Sequence, residues 1–173
     1  MNITLPLSLQ DKKKLTAGQK AYLSGKVYTA RDAAHKKIVK AIENDEKLPF
    51  NLKNSTIFYV GPTPTRKDSS IGAAGPTTSS RMDLYTEELL KCGLSAVIGK
   101  GPRESKINKS LVEHQAIYFV GIGGAGALLA KSIKKTKLIA FPELGPEAIY
   151  LMEIENMPLY VGLDLRGRDI YRN

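Results

Sequence analysis

The chain of 173 residues contains one cysteine, no tryptophan and few aromatic residues of any kind, 7% in all. Cys92 alone closes no internal disulfide, and it cannot by itself hold a zinc or iron-sulfur site built from several thiolates; a cofactor of that kind would need cysteines from another chain. With so few rings and no dense basic stripe, the stacking platform of a single-strand nucleic-acid binder is missing. No stretch approaches the roughly 18 to 20 apolar residues that span a bilayer. Asp11, Lys12, Lys13 and Lys14 interrupt the opening too early for a secretory h-region. Repeats and low-complexity tracts are also missing, which excludes collagen-like and wholly disordered chains. The expectation is a cytoplasmic protein with neither a membrane nor a nucleic-acid partner.

What is there is globular. Hydrophobic residues make up 42% and charged residues 25%, enough for a real core without staples, and the length suits a single domain over residues 1–173. The net charge of +9 favours an anionic partner without naming its kind.

Along the chain, Asn2 to Leu7 alternates polar and apolar residues and predicts a strand, which Pro6 pushes to a sheet edge. Ala21 to Ala30 predicts a strand with a bulge at Gly25. Ala34, Ile38, Ala41 and Ile42 recur at helical spacing from Arg31 to about Glu46, with His35 on the exposed side among the lysines. Thr56 to Val60 is a buried strand that delivers the chain to a long loop, Gly61 to Pro76, of a length usually functional or disordered. Thereafter helix near Ser80 to Lys91, strand Leu94 to Ile98, helix Glu104 to Glu113, strand Ala116 to Val120, short helix Ala125 to Ile133 and strand Lys137 to Phe141 alternate. Ile149 to Ile154 and Leu159 to Leu163, flanking Asn156-Met157-Pro158, read as two further strands. The fold class is α/β.

The most informative stretch is Gly75-Pro76-Thr77-Thr78-Ser79-Ser80-Arg81-Met82-Asp83, where the loop enters a helix. Ser80 and Asp83 stand at capping-box spacing, and unpaired N–H groups beside four hydroxyls and a guanidinium suit a carboxylate or phosphate. Arg81 can grip a carboxylate through two parallel hydrogen bonds, as lysine cannot. The bland alternative has the hydroxyls capping the helix and Arg81 solvated. Arg31 at one strand-to-helix junction and Lys100 just after another strand are mouth positions of an α/β sheet, candidates for the same pocket, although taken singly each reads better as an exposed first-turn arginine and a loop lysine between glycines.

Gly121-Ile122-Gly123-Gly124-Ala125-Gly126 matches G-x-G-x-x-G, with Glu143 placed as a ribose-binding acid would be. A nucleotide-binding module is therefore an alternative of a different class. So short a remainder after Gly126 leaves little room for the second half of a dinucleotide fold, so tight strand-to-helix packing by the glycines is preferred. His35 and His114 make no metal motif, Cys92 at a helix C-terminus reads as structural, and no G-x-S-x-G points to a serine hydrolase.

Taken in order, Leu23-Ser24-Gly25-Lys26-Val27-Tyr28-Thr29-Ala30-Arg31-Asp32-Ala33-Ala34-His35, Gly75-Pro76-Thr77-Thr78-Ser79-Ser80-Arg81-Met82, Ile98-Gly99-Lys100-Gly101 and Gly123-Gly124-Ala125-Gly126-Ala127-Leu128 resemble the β subunit, or C-terminal domain, of class I fumarate hydratase. The β subunit of L(+)-tartrate dehydratase shares the pattern and is the close alternative. Gly145-Pro146-Glu147-Ala148-Ile149-Tyr150 and Asp164-Leu165-Arg166-Gly167 also fit. The resemblance implies a swivelling three-layer β/β/α domain and an iron-sulfur hydro-lyase that adds water to fumarate to give (S)-malate. It implies a 4Fe-4S cluster bound by cysteines of a partner α subunit and not by this chain, and a dimer of α-β pairs. Carried over by motif, Arg31, Arg81 and Lys100 would bind the substrate carboxylates, with Thr77 and Thr78 completing the polar pocket and Thr77 taking a direct part in proton transfer.

Overall fold

The computed structural model describes residues 1–62, 74–121 and 126–172. Residues 63–73 of the long loop and 122–125 of the glycine motif lie outside the described residues.

Strand β1 (Asn2–Thr4) pairs in parallel with β2 (Lys20–Thr29), and β2 continues in parallel to β3 (Thr56–Phe58), β4 (Ala96–Gly99) and β5 (Ile117–Val120). The last strand, β7 (Ile149–Leu163), runs antiparallel to β5, to β2 and to the hairpin partner β6 (Ile133–Ala140). Because β7 joins both β5 and β2, the strands β2-β3-β4-β5-β7 form a closed ring, with β1 and β6 outside it. β2 can serve three neighbours because β7 lines one edge while β1 and β3 divide the other. The predicted bulge at Gly25 is where the β2–β7 register shifts. Its φ of +128° and the 2.9 Å that would separate a Cβ from Leu5 leave room only for glycine.

Three helices, α2 (Asp32–Glu43), α3 (Asp83–Lys91) and α4 (Ser105–Glu113), connect successive parallel strands. Right-handed crossovers between strands taken in sequence order put consecutive helices on the same face, where α3 packs against both α2 and α4. Side-chain alternation on the strands then builds two cores. Ile57, Tyr59, Val97, Tyr118 and Val120 meet the helices through Ala34, Ile38, Leu89 and Leu111. Phe58, Val60, Ala96, Ile98, Ile117 and Phe119 turn the other way and pack on β2 and β7 through Leu23, Val27, Met152, Leu159 and Val161, joined by Leu129 of α5 (Gly126–Lys131). None of the described helices is long and apolar enough to cross a membrane.

The end of the chain departs from the sequence reading. Ile149–Leu163 is one strand, not two. Asn156 takes the left-handed region (φ +49°) and donates its N–H to Ser24 Oγ at 2.9 Å, while the Glu155 N–H reaches the Ser132 carbonyl at 2.8 Å. Neighbouring elements thus absorb the irregularity as a bulge that the local Asn-Met-Pro signal cannot distinguish from a turn. A short helix, α1 (Leu9–Lys14), also forms without having been expected; Ser8 Oγ caps it by accepting the Asp11 N–H at 3.0 Å.

Candidate functional site

Four of the residues singled out for anion binding, Arg31, Thr77, Thr78 and Lys100, lie at the carboxyl ends of parallel strands. Arg31 follows β2, Lys100 follows β4, and Thr77 lies beyond β3, its N–H donated to the Tyr59 carbonyl at 2.7 Å. The segment from Thr77 to Arg81 crosses to the β4 end, where Thr78 and Lys100 form a parallel bridge. There the Ser79 N–H reaches the Lys100 carbonyl at 2.9 Å, and the Lys100 N–H reaches Ser79 Oγ at 3.1 Å. Gly99 permits this approach, since a Cβ at that position would overlap Ser79 Oγ and touch the Tyr59 ring at 3.0 Å.

Arg31 is the N-cap residue of α2, and its guanidinium pairs with Glu147 at 3.2 Å. Glu147 is fixed in turn by accepting the Ala33 N–H at 3.2 Å. Gly61 makes room for the Arg31 head, because a Cβ there would lie 3.0 Å from Nη1. The next residue, Asp32, binds Arg81 side-on, with Nε 3.1 Å from Oδ1 and Nη2 2.9 Å from Oδ2. Arg31 and Arg81 thus hold different carboxylates, Glu147 and Asp32, from the two ends of the Arg31-Asp32 dipeptide. A guanidinium carries five N–H donors, so the side-on pair leaves the far edge of Arg81 for a second carboxylate. None of the ion pairs among the described residues involves Lys100, which is exposed. The structure thus brings the Thr77–Arg81 segment against Lys100 on one side and Asp32 on the other, while the Arg31 head turns to Glu147.

Beneath this edge lies a buried polar cluster that reading the sequence did not find. Arg103, with no exposed side-chain surface, binds Asp83 Oδ1 through Nε at 2.7 Å and through Nη2 at 2.6 Å. It also donates to Thr86 Oγ1 at 2.6 Å and to the Tyr59 hydroxyl at 3.3 Å, and its guanidinium lies 5.5 Å from the ring centres of Tyr59 and Tyr118. Burial alone would lower the Arg103 pKa, but Tyr59 and Asp83 outweigh it and hold the group charged. Asp83 Oδ2 accepts the Glu104 N–H at 2.9 Å, so one carboxylate ties the start of α3 to the start of α4. In sequence, Asp83 and Arg103 are two ordinary charges at helix starts, and only packing reveals that they meet.

This cluster corrects the capping-box expectation. A 3-10 turn, Ser79–Met82, precedes α3; neither Thr78 nor Met82 makes a side-chain cap, and the Asp83 carboxylate is spent on Arg103 and Glu104. His35 is a second correction: it is fully buried, not exposed. Its ring packs edge-on to Tyr59 and stacks on Tyr85, and Nδ1–H donates to the Arg31 carbonyl at 2.8 Å. Burial, reinforced by Arg103 against the opposing pull of the Arg31 carbonyl and Asp32, lowers its pKa to about 4. His114 caps the end of α4, with Nδ1 on the Ser110 carbonyl at 3.0 Å. Cys92 ends α3, and burial with Glu88 nearby raises its thiol pKa, as suits a structural cysteine.

The described ends of the glycine motif serve packing. A Cβ on Gly121 would lie 2.9 Å from Pro76, and one on Gly126 3.2 Å from the Gly75 nitrogen. Glu143, the candidate ribose acid, pairs with Lys37 on the surface. Among the described residues no three His, Cys, Asp or Glu side chains converge as a metal site.

Residues 1–173 match the family described as Fumarase C-terminus. A Methanocaldococcus jannaschii protein with the provisional name L(+)-tartrate dehydratase subunit beta is 42% identical over 95% of this chain and 88% of its own length. Fumarate hydratase 2 of Leishmania major is 38% identical over 94% of this chain, and the aerobic class I fumarate hydratase of Salmonella typhimurium 34% identical over 99%. The chain spans only 29% and 30% of those two longer proteins. By the extent of these matches, this chain belongs to the Fumarase C-terminus family.

Proposed function

We propose that this chain is the β subunit of a class I fumarate hydratase, active with a partner α subunit in the cytoplasm as a dimer of α-β pairs. The reaction is the reversible addition of water to fumarate to give (S)-malate. The observation that carries this reading is the run of Arg31, Arg81 and Lys100 beside Thr77 and Thr78 at the carboxyl ends of the parallel strands, in a member of this family. The two faces of the parallel strands, one covered by helices and the other by β7 and β6, fit a swivelling three-layer β/β/α domain.

In this reading Arg31, Arg81 and Lys100 bind the two substrate carboxylates, with Thr78 completing the polar pocket. Removing a proton beside a carboxylate leaves a dianionic aci-carboxylate, and the same cations stabilise the charge as it develops. To Thr77 we assign a direct part in proton transfer, as the resemblance implies. A threonine hydroxyl is a poor base near neutral pH, so it acts within a relay whose activating group belongs to the partner. The resemblance implies a 4Fe-4S cluster, but the chain's single cysteine does not fit one. We assign the cluster to the α subunit.

The alternative is the β subunit of an L(+)-tartrate dehydratase, favoured by the name of the Methanocaldococcus relative. Anaerobic assay of the assembled pair on (S)-malate and on L-tartrate separates the two, since kcat/KM compares transition-state binding directly. The proposal expects preference for malate, and no turnover from this chain alone. A large preference for tartrate would reassign the substrate and keep the site.

A further inference from the structure

We infer that Tyr118 is a positioning residue which, through Ser79 and Gly101, fixes Lys100 against the Thr77–Arg81 segment and so sets the spacing between the cationic grips. This rests on the reading of that edge as a dicarboxylate site.

The Tyr118 hydroxyl lies 2.7 Å from the Gly101 carbonyl oxygen and 2.8 Å from Ser79 Oγ. A carbonyl only accepts, so the single phenolic proton goes to Gly101, and the Ser79 hydroxyl donates to the phenol oxygen. Ser79 Oγ then keeps a lone pair for the Lys100 N–H at 3.1 Å, while the Ser79 N–H holds the Lys100 carbonyl at 2.9 Å. Lys100 is thus held through both of its backbone groups, and Gly101 through its carbonyl. On the other side of the loop, the exposed Tyr171 hydroxyl accepts the Gly101 N–H at 3.2 Å. The Tyr118 ring is itself clamped in the core, 1% exposed, beside the Arg103 guanidinium. Burial raises its pKa, which keeps the phenol protonated as this arrangement requires. A lysine on a loop between two glycines would otherwise spread its ammonium over many positions. The phenol therefore has a role at the site edge beyond filling the core.

The test uses Tyr118→Phe, which keeps the ring and removes the hydroxyl, in the assembled complex with the cluster-bearing subunit. The readouts are KM and kcat for fumarate and the Kd for succinate, a dicarboxylate that cannot be hydrated. We expect KM and the succinate Kd to rise about five- to tenfold with kcat within about twofold, the pattern of lost binding common to ground and transition states. In a Lys100→Ala background the same change should move the succinate Kd by less than about twofold, because residues acting as a unit are non-additive. Should Tyr118→Phe fail to assemble, Ser79→Ala, which leaves the Tyr118–Gly101 bond, carries the same expectation. Parental KM and Kd, with or without lower stability, would reduce Tyr118 to a packing residue and overturn the inference while the site stands, provided Lys100→Ala still weakens succinate. If Lys100→Ala leaves the succinate Kd unchanged, the site reading fails and the inference with it.

Discussion

His35 shows what one buried residue costs and where that cost is felt. Its Nδ1–H is used by the Arg31 carbonyl and its Nε2 is buried without a partner among the described residues. The native state therefore holds a neutral ring, with a pKa near 4 against 6.5 for an unperturbed histidine. Between those values the unfolded chain binds the extra proton, so this contribution is complete above about pH 6.5 and is lost as the pH falls toward 4. Its full size is on the order of 3 kcal/mol. Urea unfolding from pH 7 to pH 4.5 should show this slope in the parent. In His35→Asn, whose amide can still reach the Arg31 carbonyl, the slope should be clearly shallower; equal slopes would show that other groups carry the acid sensitivity. The sequence places His35 on α2 correctly but on the wrong side. A histidine next to Ala34 and one turn from Ile38 counts as polar in a periodicity argument, and the rings of Tyr59 and Tyr85 that accept it come from other elements.

At the scale of elements, the Asp83–Arg103 pair joins α3 to α4 and supports the turn that carries Thr78 to Arg81. Breaking a fully buried pair strands the remaining charge, so Arg103→Ala should cost about 3–5 kcal/mol. Converting both partners to apolar residues, Arg103→Met with Asp83→Leu, should cost less than the single change. Denaturant midpoints of the single and double variants measure the difference, and a double variant less stable than Arg103→Ala would remove this account of the pair. Elements whose signals are local were legible: the bulge at Gly25, the compact apolar run of Thr56 to Val60, and the helices that pack through Ile38, Leu89 and Leu111. What was not legible depends on distant partners. Asn156 and Pro158 look like a turn until Ser24 and Ser132 are seen to bond across the irregularity, and a helix as short as α1 carries too little periodicity to register.

For the molecule as a whole, sequence-adjacent parallel strands put four loop mouths on one edge, and closure of the ring through β7 fixes that edge from behind. That arrangement explains why residues as far apart in sequence as Arg31 and Lys100 could be expected on one edge from the sequence. Each follows a strand end, and strand ends of a parallel sheet face the same way. The contacts around that edge, Asp32 on Arg81, Glu147 on Arg31 and Tyr118 on Ser79, were not legible, because they come from side chains whose meeting is set only by packing. We propose that this edge supplies the grips for a dicarboxylate whose chemistry is completed by a partner. The most direct test is kcat/KM for fumarate of the assembled enzyme carrying Arg81→Ala, measured beside the parent at equal cluster content. Loss of a charged contact to substrate costs about 2–5 kcal/mol, so the account predicts a fall of at least about tenfold with assembly intact. A kcat/KM within about twofold of the parent would contradict it.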